Sequence, residues 1–339
     1  MKVGIDLGYG FTKIVAQENG EINHYKLPSV VGEYRDLDYK MDIAKDEDDL
    51  SNIVVNVDGE KYFVGDIANR QSDIVYFSLN EDKFDERSTM IMMKAGLALA
   101  TLGSESSSSS VNVVTGLPVA FYSKHKDKVT SKMKDNHGLS ISKDAADTFQ
   151  TKNIDVQNVR VVPQPFGTMF NEILDENGEL VNEELAKKDI GIVDIGFKTS
   201  DITVARSLEY IDNQSMSTTT SMSTAFKIIQ DKLMEEFGVT KPIYKLDEIV
   251  RKGSINIKGK SYNIENIKDY AYRVVAEKIV GEVTNLWTNI WERDQIILTG
   301  GGGHQLGEYI KKRLDNCELA ETPQEANTFG YLKLAKRLW

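Results

Sequence analysis

Two distant segments, Ile5-Asp6-Leu7-Gly8-Tyr9-Gly10-Phe11-Thr12-Lys13 and Val193-Asp194-Ile195-Gly196-Phe197-Lys198-Thr199-Ser200-Asp201, repeat one pattern: an apolar strand that ends in Asp-x-Gly and then turns. A chain that builds this device twice is constrained to two similar α/β halves, each bringing a carboxylate and a glycine turn to a sheet edge. Successive backbone N–H groups exposed by such a turn bind an anion, because their donors are unpaired and already oriented. Gly8 and Gly10 are expected to supply positive φ and close approach of a phosphate. Lys13, just beyond the turn, is placed to reach a β- or γ-phosphate as a point charge. Taken singly, Asp-x-Gly-x-x-x-x-Lys is also the pattern of an ordinary hairpin turn.

Around these anchors the first half reads as strands at Lys2 to Asp6, Phe11 to Gln17 and Ile22 to Leu27, with a turn at Asn19-Gly20. Residues 33 to 52 are rich in Asp, Glu and Lys and read as a solvated excursion. Asp58-Gly59 joins Ile53 to Val57 with Lys61 to Val64 as a tight hairpin. Arg87 to Leu102 has helical periodicity with Gly103 as its stop, Ser104 to Ser110 reads as a surface loop, and Val111 to Thr115 and Val159 to Val162 read as strands. Gly167 to Leu174 is expected to be helical. The second half repeats the plan: strands at Ile190 to Asp194, Asp201 to Ala205 and Leu208 to Asp212, a helix from Ser221 closed by Gly238, and a hairpin at Ser254 to Tyr262. A long helix or helix pair over Ile264 to Trp291 follows, then a strand at Gln295 to Leu298, with closing helices at Leu306 to Leu314 and Asn327 to Leu338.

Length and charge bound the function. At 339 residues the chain is long enough for two domains with separate cores. A net charge of −11 argues against direct, sequence-independent binding to nucleic acid, which needs wholesale phosphate neutralisation. The single cysteine, Cys317, has no partner for a disulfide or a metal site, which points to a reducing, cytoplasmic setting. The start of the chain carries no secretory signal, and its most apolar helical stretch, Met90 to Leu102, contains Lys94 and is shorter than the roughly 20 residues that span a bilayer.

Three further features support a nucleotide-binding reading of the paired turns. Thr199, Ser200 and Asp201 add hydroxyl donors and a second acid to the downstream copy. Gly300-Gly301-Gly302-Gly303 follows a strand, offering a backbone surface that can lie flat against a nucleoside. Neither the Walker pattern nor an N-terminal Gly-x-Gly-x-x-Gly is present, which argues against P-loop and Rossmann architectures. Asp6 and Asp194 at equivalent strand ends suit a hydrated Mg²⁺ that they touch through water. Gln164, between Pro163 and Pro165, is the candidate for orienting an attacking water, a task that needs no strong base.

Together these residues resemble the actin-like ATPase superfamily, which also includes sugar kinases and the large heat-shock chaperones. Five segments follow that family's order: a first phosphate loop at Asp6 to Lys13, a first connecting segment at Gln164 to Met169, a second phosphate loop at Asp194 to Asp201, an adenosine loop at Thr299 to Gly303, and a second connecting segment at Ala326 to Gly330. Within it, the Asp-x-Gly-Tyr-Gly-x-Thr-Lys opening looks like ParM-type plasmid-segregation and archaeal actin-like proteins. The resemblance implies two ribonuclease-H-like domains with a nucleotide cleft between them. They would span residues 1–165, with an insertion at about 30–100, and 166–339, with an insertion at about 206–270.

The resemblance further implies ATP, or GTP, with Mg²⁺. Asp6 and Asp194 would be metal-side acids, and Gln164 the water-positioning residue. Nucleotide contacts would come from Gly8, Tyr9, Gly10, Phe11, Thr12 and Lys13, from Gly196, Phe197, Lys198 and Thr199, and from Gly300 to Gly303. Where ParM-type proteins often carry glutamate, this chain has Gln164, as actin does. The implied behaviour is head-to-tail polymerisation controlled by nucleotide, coupled to plasmid DNA through a separate adaptor protein. Alternatives within the superfamily are a monomeric small-molecule kinase and a membrane-associated actin relative of the cell-shape or cell-division type, anchored through the basic tail Phe329 to Trp339. The tail's proximity to the second connecting segment favours a helix packed on the second domain, with no membrane partner.

Overall fold

The computed structural model describes residues 1–18, 20–37, 50–77, 83–104, 106–243 and 246–339. Most of the acidic excursion (residues 38–49), Asn19 of the expected turn and Glu105 of the serine run lie outside the described residues. The chain divides into two compact units, residues 1–182 with 327–339, and residues 183–326.

The first unit contains strands β1 (Lys2–Leu7), β2 (Phe11–Glu18), β3 (Glu21–Pro28), β4 (Val30–Glu33), β5 (Ile53–Val57), β6 (Glu60–Val64), β7 (Val75–Phe77), β8 (Ser108–Leu117), β9 (Asn136–Ser142) and β10 (Gln150–Pro163). They form one sheet in the order β3-β2-β1-β8-β10-β9-β5-β6-β4-β7. β1 pairs antiparallel with β2 and parallel with β8, and β8 pairs parallel with β10. Val3, Gly4, Ile5, Asp6 and Leu7 are all buried, as expected of a central strand covered on both faces. Strands β5 and β6 extend the same sheet, because β5 pairs with β9 as well as with β6.

The second unit contains β11 (Asp189–Ile195), β12 (Ser200–Arg206), β13 (Glu209–Tyr210), β14 (Met216–Thr218), β15 (Ser254–Ile257), β16 (Lys260–Asn263), β17 (Gln295–Thr299) and β18 (Cys317–Leu319). Its main sheet runs β13-β12-β11-β17-β18, with β14 also on β12. The two halves therefore share one scheme: three antiparallel strands ordered third-second-first, then two parallel strands on the far side of the first. The register repeats too, since Asp6 lies opposite Lys13 as Asp194 lies opposite Asp201.

Several helices follow their sequence signals. The helix Met222–Phe237 starts at a capping box made by Ser221 and Thr224 and ends at Gly238 with φ +66°. The helix Arg87–Ala100 stops at Thr101 rather than at Gly103: the Thr101 hydroxyl donates to the carbonyls of Leu97 and Ala98, satisfying the helix end without a left-handed glycine. The serine run is strand as well as loop, because Ser108, Ser109 and Ser110 are registered opposite Asn153, Ile154 and Asp155 of β10. The helix Glu265–Leu286 is single and ends before Trp287, and the helix Val119–Met133 carried no sequence expectation.

The compact units also part at other positions than 165/166. Phe166–Ile173 and the C-terminal helix Ala326–Leu338 pack together with the first unit, where Tyr331, Leu334 and Ala335 join Val114 and Val162 in one buried cluster flanked by Phe170. Apolar surface on that second face of the sheet requires a cover, and these two helices supply it. The basic tail is thus tied to the first unit rather than packed on the second. Lys333, Lys336 and Arg337 donate to the carbonyls of Asn171, Glu176 and Gly178. No helix among the described residues is long and apolar enough to cross a membrane.

Cys317 is buried in the second unit's core, and burial pushes its thiol up to about 12. Its reactive thiolate is accordingly scarce, so disulfide reagents should label it roughly a thousandfold more slowly in the folded protein than in denaturant. Labelling at equal rates in the two conditions would contradict this packing.

Candidate functional site

In the first unit the β1–β2 turn is Gly8-Tyr9-Gly10, at the end of the ladder in which Leu7 pairs with Thr12. Neither glycine adopts positive φ, contrary to expectation. Gly8 is required by proximity instead: a Cβ there would lie 2.6 Å from the Phe11 carbonyl oxygen, and the matching Gly196 would meet the Thr199 carbonyl at 2.9 Å. Each turn is pinned by a hydroxyl from farther along the chain. Ser29 donates to the Gly8 carbonyl at 2.7 Å and contacts Thr12 Oγ1 at 2.9 Å. Ser221 donates to the Phe197 carbonyl at 2.9 Å, while Ser200 donates to Thr220 O at 2.6 Å.

Two of the expected residues, Lys13 and Gln164, converge on the carboxylate of a third, Asp6. Asp6 is 3% exposed at the end of β1; Lys13 Nζ lies 3.5 Å from its Oδ2, and Gln164 Nε2 donates to its Oδ1 at 3.3 Å. Gln164 gets there because β10 ends at Pro163 and the chain turns through Pro165 into the helix Phe166–Ile173. With its amide N–H₂ on Asp6, the Gln164 side chain keeps a carbonyl oxygen that can accept a hydrogen bond from water.

The second unit differs at the equivalent place. Opposite Asp194 stands not a lysine but Asp201, and both carboxylates are buried, at 4% and 3% exposure. Ser217 donates to Asp201. Like charges directly opposed across a strand pair repel, so this pair is suited to a cation, whereas Asp6 and Lys13 neutralise each other. A hydrated Mg²⁺ fits such a donor set, because it takes few protein ligands and completes its shell with water and phosphate.

Gly300 to Gly303 form the first turn of the helix Gly300–Lys311 rather than a flat surface. Gly300 has φ +80°, and a Cβ there would lie 2.4 Å from Asp194 Oδ1, so the helix N-terminus is set directly against the Asp194 strand end. Its N–H is used by Pro323 O at 2.8 Å. The remaining first-turn N–H groups and the helix dipole favour negative charge at this point.

Some expected contacts are occupied by the protein itself. The Phe197 ring packs on Phe226 with centroids 6.0 Å apart, and Lys26 Nζ sits 4.6 Å from the Phe11 ring centre. Tyr9 is buried beneath Lys83, whose Nζ is 4.4 Å from the ring centre. Tyr9 is thus buried, while Phe11 and Phe197 stay half-buried beside these neighbours. Lys83 was not anticipated: it is 5% exposed and also donates to the Leu7 carbonyl, bracing the first turn from behind. Nothing in its local sequence distinguishes it from a solvated lysine.

This architecture has known counterparts. Residues 4–167 match the family model for the actin like proteins N terminal domain, and residues 192–312 match that for the archaeal actin homologue MreB-like C-terminal domain. The chain is actin-like in both halves. A sequence comparison with curated proteins finds no match. Among solved structures, the actin-like chain is similar to a ParM filament protein from Clostridium botulinum (23% identity, 99% of each chain covered, TM-score 0.80). It is similar also to Ta0583, an archaeal actin homologue solved with ADP (16% identity, 99% of each chain, TM-score 0.78), and to the actin-like protein Alp7A (16% identity, 99% and 96% covered, TM-score 0.77). At such identities the likeness establishes the actin fold.

Proposed function

We propose that this actin-like protein binds Mg²⁺–ATP, or Mg²⁺–GTP, hydrolyses it, and assembles head to tail into filaments whose persistence depends on the nucleotide. The observation that carries the reading is the convergence of Lys13, from β2, and Gln164, from the end of β10, on the buried carboxylate of Asp6 in β1. The turns Gly8 to Lys13 and Gly196 to Thr199 act as the two phosphate-binding segments, and the first turn of the helix Gly300–Lys311 serves the nucleoside. Lys13 holds a terminal phosphate as a point charge. Gln164, steadied by Asp6, orients water in line with the leaving group. Bound Mg²⁺ would neutralise charge developing on the phosphate oxygens, with Asp6 and Asp194 as the metal-side acids, reached through water, and Asp201 beside Asp194. The filament relative from Clostridium botulinum supports the assembly part of the reading. A role in segregating plasmid DNA through an adaptor protein, in the cytoplasm, follows the same resemblance and agrees with the acidic net charge.

Pelleting and light scattering with ATP against ADP test the assembly: Mg²⁺–ATP should produce sedimenting polymer, and none across a range of salt would overturn it. For the chemistry, Gln164→Ala should lower phosphate release roughly 10- to 100-fold while leaving nucleotide affinity within about threefold. Unchanged release would mean that Gln164 does not position the water.

A further inference from the structure

Tyr331 lies in the C-terminal helix, fully buried, and its hydroxyl donates to the backbone carbonyl of Gln164 at 3.1 Å. That carbonyl also accepts from Gly167 N–H at 3.0 Å, and the Gln164 N–H donates to Leu117 O at 2.8 Å. The main chain of Gln164 is therefore held from three elements: the end of β8, the helix Phe166–Ile173 and the C-terminal helix. Room for the hydroxyl exists because residue 116 lacks a side chain, since a Cβ on Gly116 would fall 1.8 Å from Tyr331 Oη. A second tie sits one helical turn earlier, where Asn327 Oδ1 accepts from both the N–H and the hydroxyl of Thr168, at 3.0 and 2.8 Å. A phenol hydroxyl placed at full burial, in a slot that only glycine leaves open, is more specific than apolar packing of the ring requires; phenylalanine would fill the same volume.

We infer that Tyr331 is a positioning residue for Gln164: its hydrogen bond fixes the backbone from which the Gln164 side chain reaches Asp6, and the C-terminal helix thereby sets the rate of hydrolysis. The inference rests on the proposed role of Gln164 in water positioning. Misplacement by a fraction of an ångström matters for a residue that aligns a nucleophile, while it hardly affects a residue that only binds.

Tyr331→Phe removes the hydroxyl and keeps the ring. In the full chain, single-turnover phosphate release should fall about three- to tenfold, with equilibrium affinity for a fluorescent ADP analogue and the thermal midpoint nearly unchanged. In the Gln164→Ala background the same change should cost nothing further, because the group it positions is gone. Additive losses in the double variant, or full release activity in Tyr331→Phe alone, would overturn the inference. A parallel fall in affinity and thermal midpoint would also overturn it, marking the hydroxyl as purely structural. Absence of phosphate release in the wild-type protein, with nucleotide still bound, would instead refute the hydrolase reading itself.

Discussion

Asp194→Asn should lower turnover at limiting Mg²⁺ by about a hundredfold, the scale on which removal of one precisely placed electrostatic group acts. The substitution keeps the shape of a side chain that is 4% exposed, so packing is preserved. What changes is charge: Asp194 and Asp201 stand opposite each other in the β11–β12 register, and replacing one carboxylate by an amide relieves their repulsion. Folding stability should accordingly hold or rise, by up to about 1 kcal/mol. Loss of Mg²⁺-dependent nucleotide binding or turnover combined with an unchanged or higher thermal midpoint is the signature of a residue kept for a cation at the expense of the fold. Titration of nucleotide affinity against Mg²⁺, with circular-dichroism melting alongside, measures both. Retention of both binding and turnover would remove Asp194 from the metal side of the site.

The largest structural effect is expected at Gly330. A Cβ there would lie 1.7 Å from the Gly167 carbonyl oxygen and 2.8 Å from Asn171 N, backbone atoms of the helix Phe166–Ile173 that cannot rotate away. Alanine in a helix interior is favoured over glycine by about 1 kcal/mol. Forcing the two helices apart costs more, on the order of 3 kcal/mol, because it also opens the cluster of Tyr331, Val114 and Val162. Gly330→Ala should therefore lower the melting midpoint of the first unit by roughly 6 to 12 °C. An unchanged or raised midpoint would show that the helices separate without loss and that the close crossing is incidental.

What could be read directly in the sequence was whatever local chemistry determines. The two Asp-x-Gly strands announce themselves by unbroken apolar runs; the helix after Ser221 is bracketed by its own capping residues; Asp58-Gly59 can hardly be anything but a tight hairpin, with Asp58 at φ 55°. Elements made by distant partners were hidden. The polar stretch Gln150 to Asn158 becomes strand only because β8 and β9 lie on either side of it. Four consecutive glycines are poor helix formers, yet Gly300 to Gly303 begin a helix; at Gly300 and Gly302 no side chain fits beside Asp194 and Ile195, a contact invisible before folding. In the candidate site, Asp6, Lys13 and Gln164 were legible as types and spacings, and the structure brings them together. Lys83 and Tyr331 were not, since each acts through a backbone carbonyl that any sequence could supply at that point.

The division of the chain also dictates an order of assembly. In sequence the second unit, residues 183–326, lies between two stretches of the first, residues 1–182 and 327–339. During synthesis the ribosome releases the whole second unit before it releases Tyr331, and domains fold as they emerge. Until then the far face of the first sheet, with Val114 and Val162, lacks the half of its cover that Tyr331, Leu334 and Ala335 supply. The half of the protein that is translated first is thus finished last, and the segment that finishes it is the one that fastens Gln164 in place. A nascent chain can bury its second core early, but on this arrangement the Tyr331 tie to the Gln164 backbone forms only when the C-terminal helix has docked.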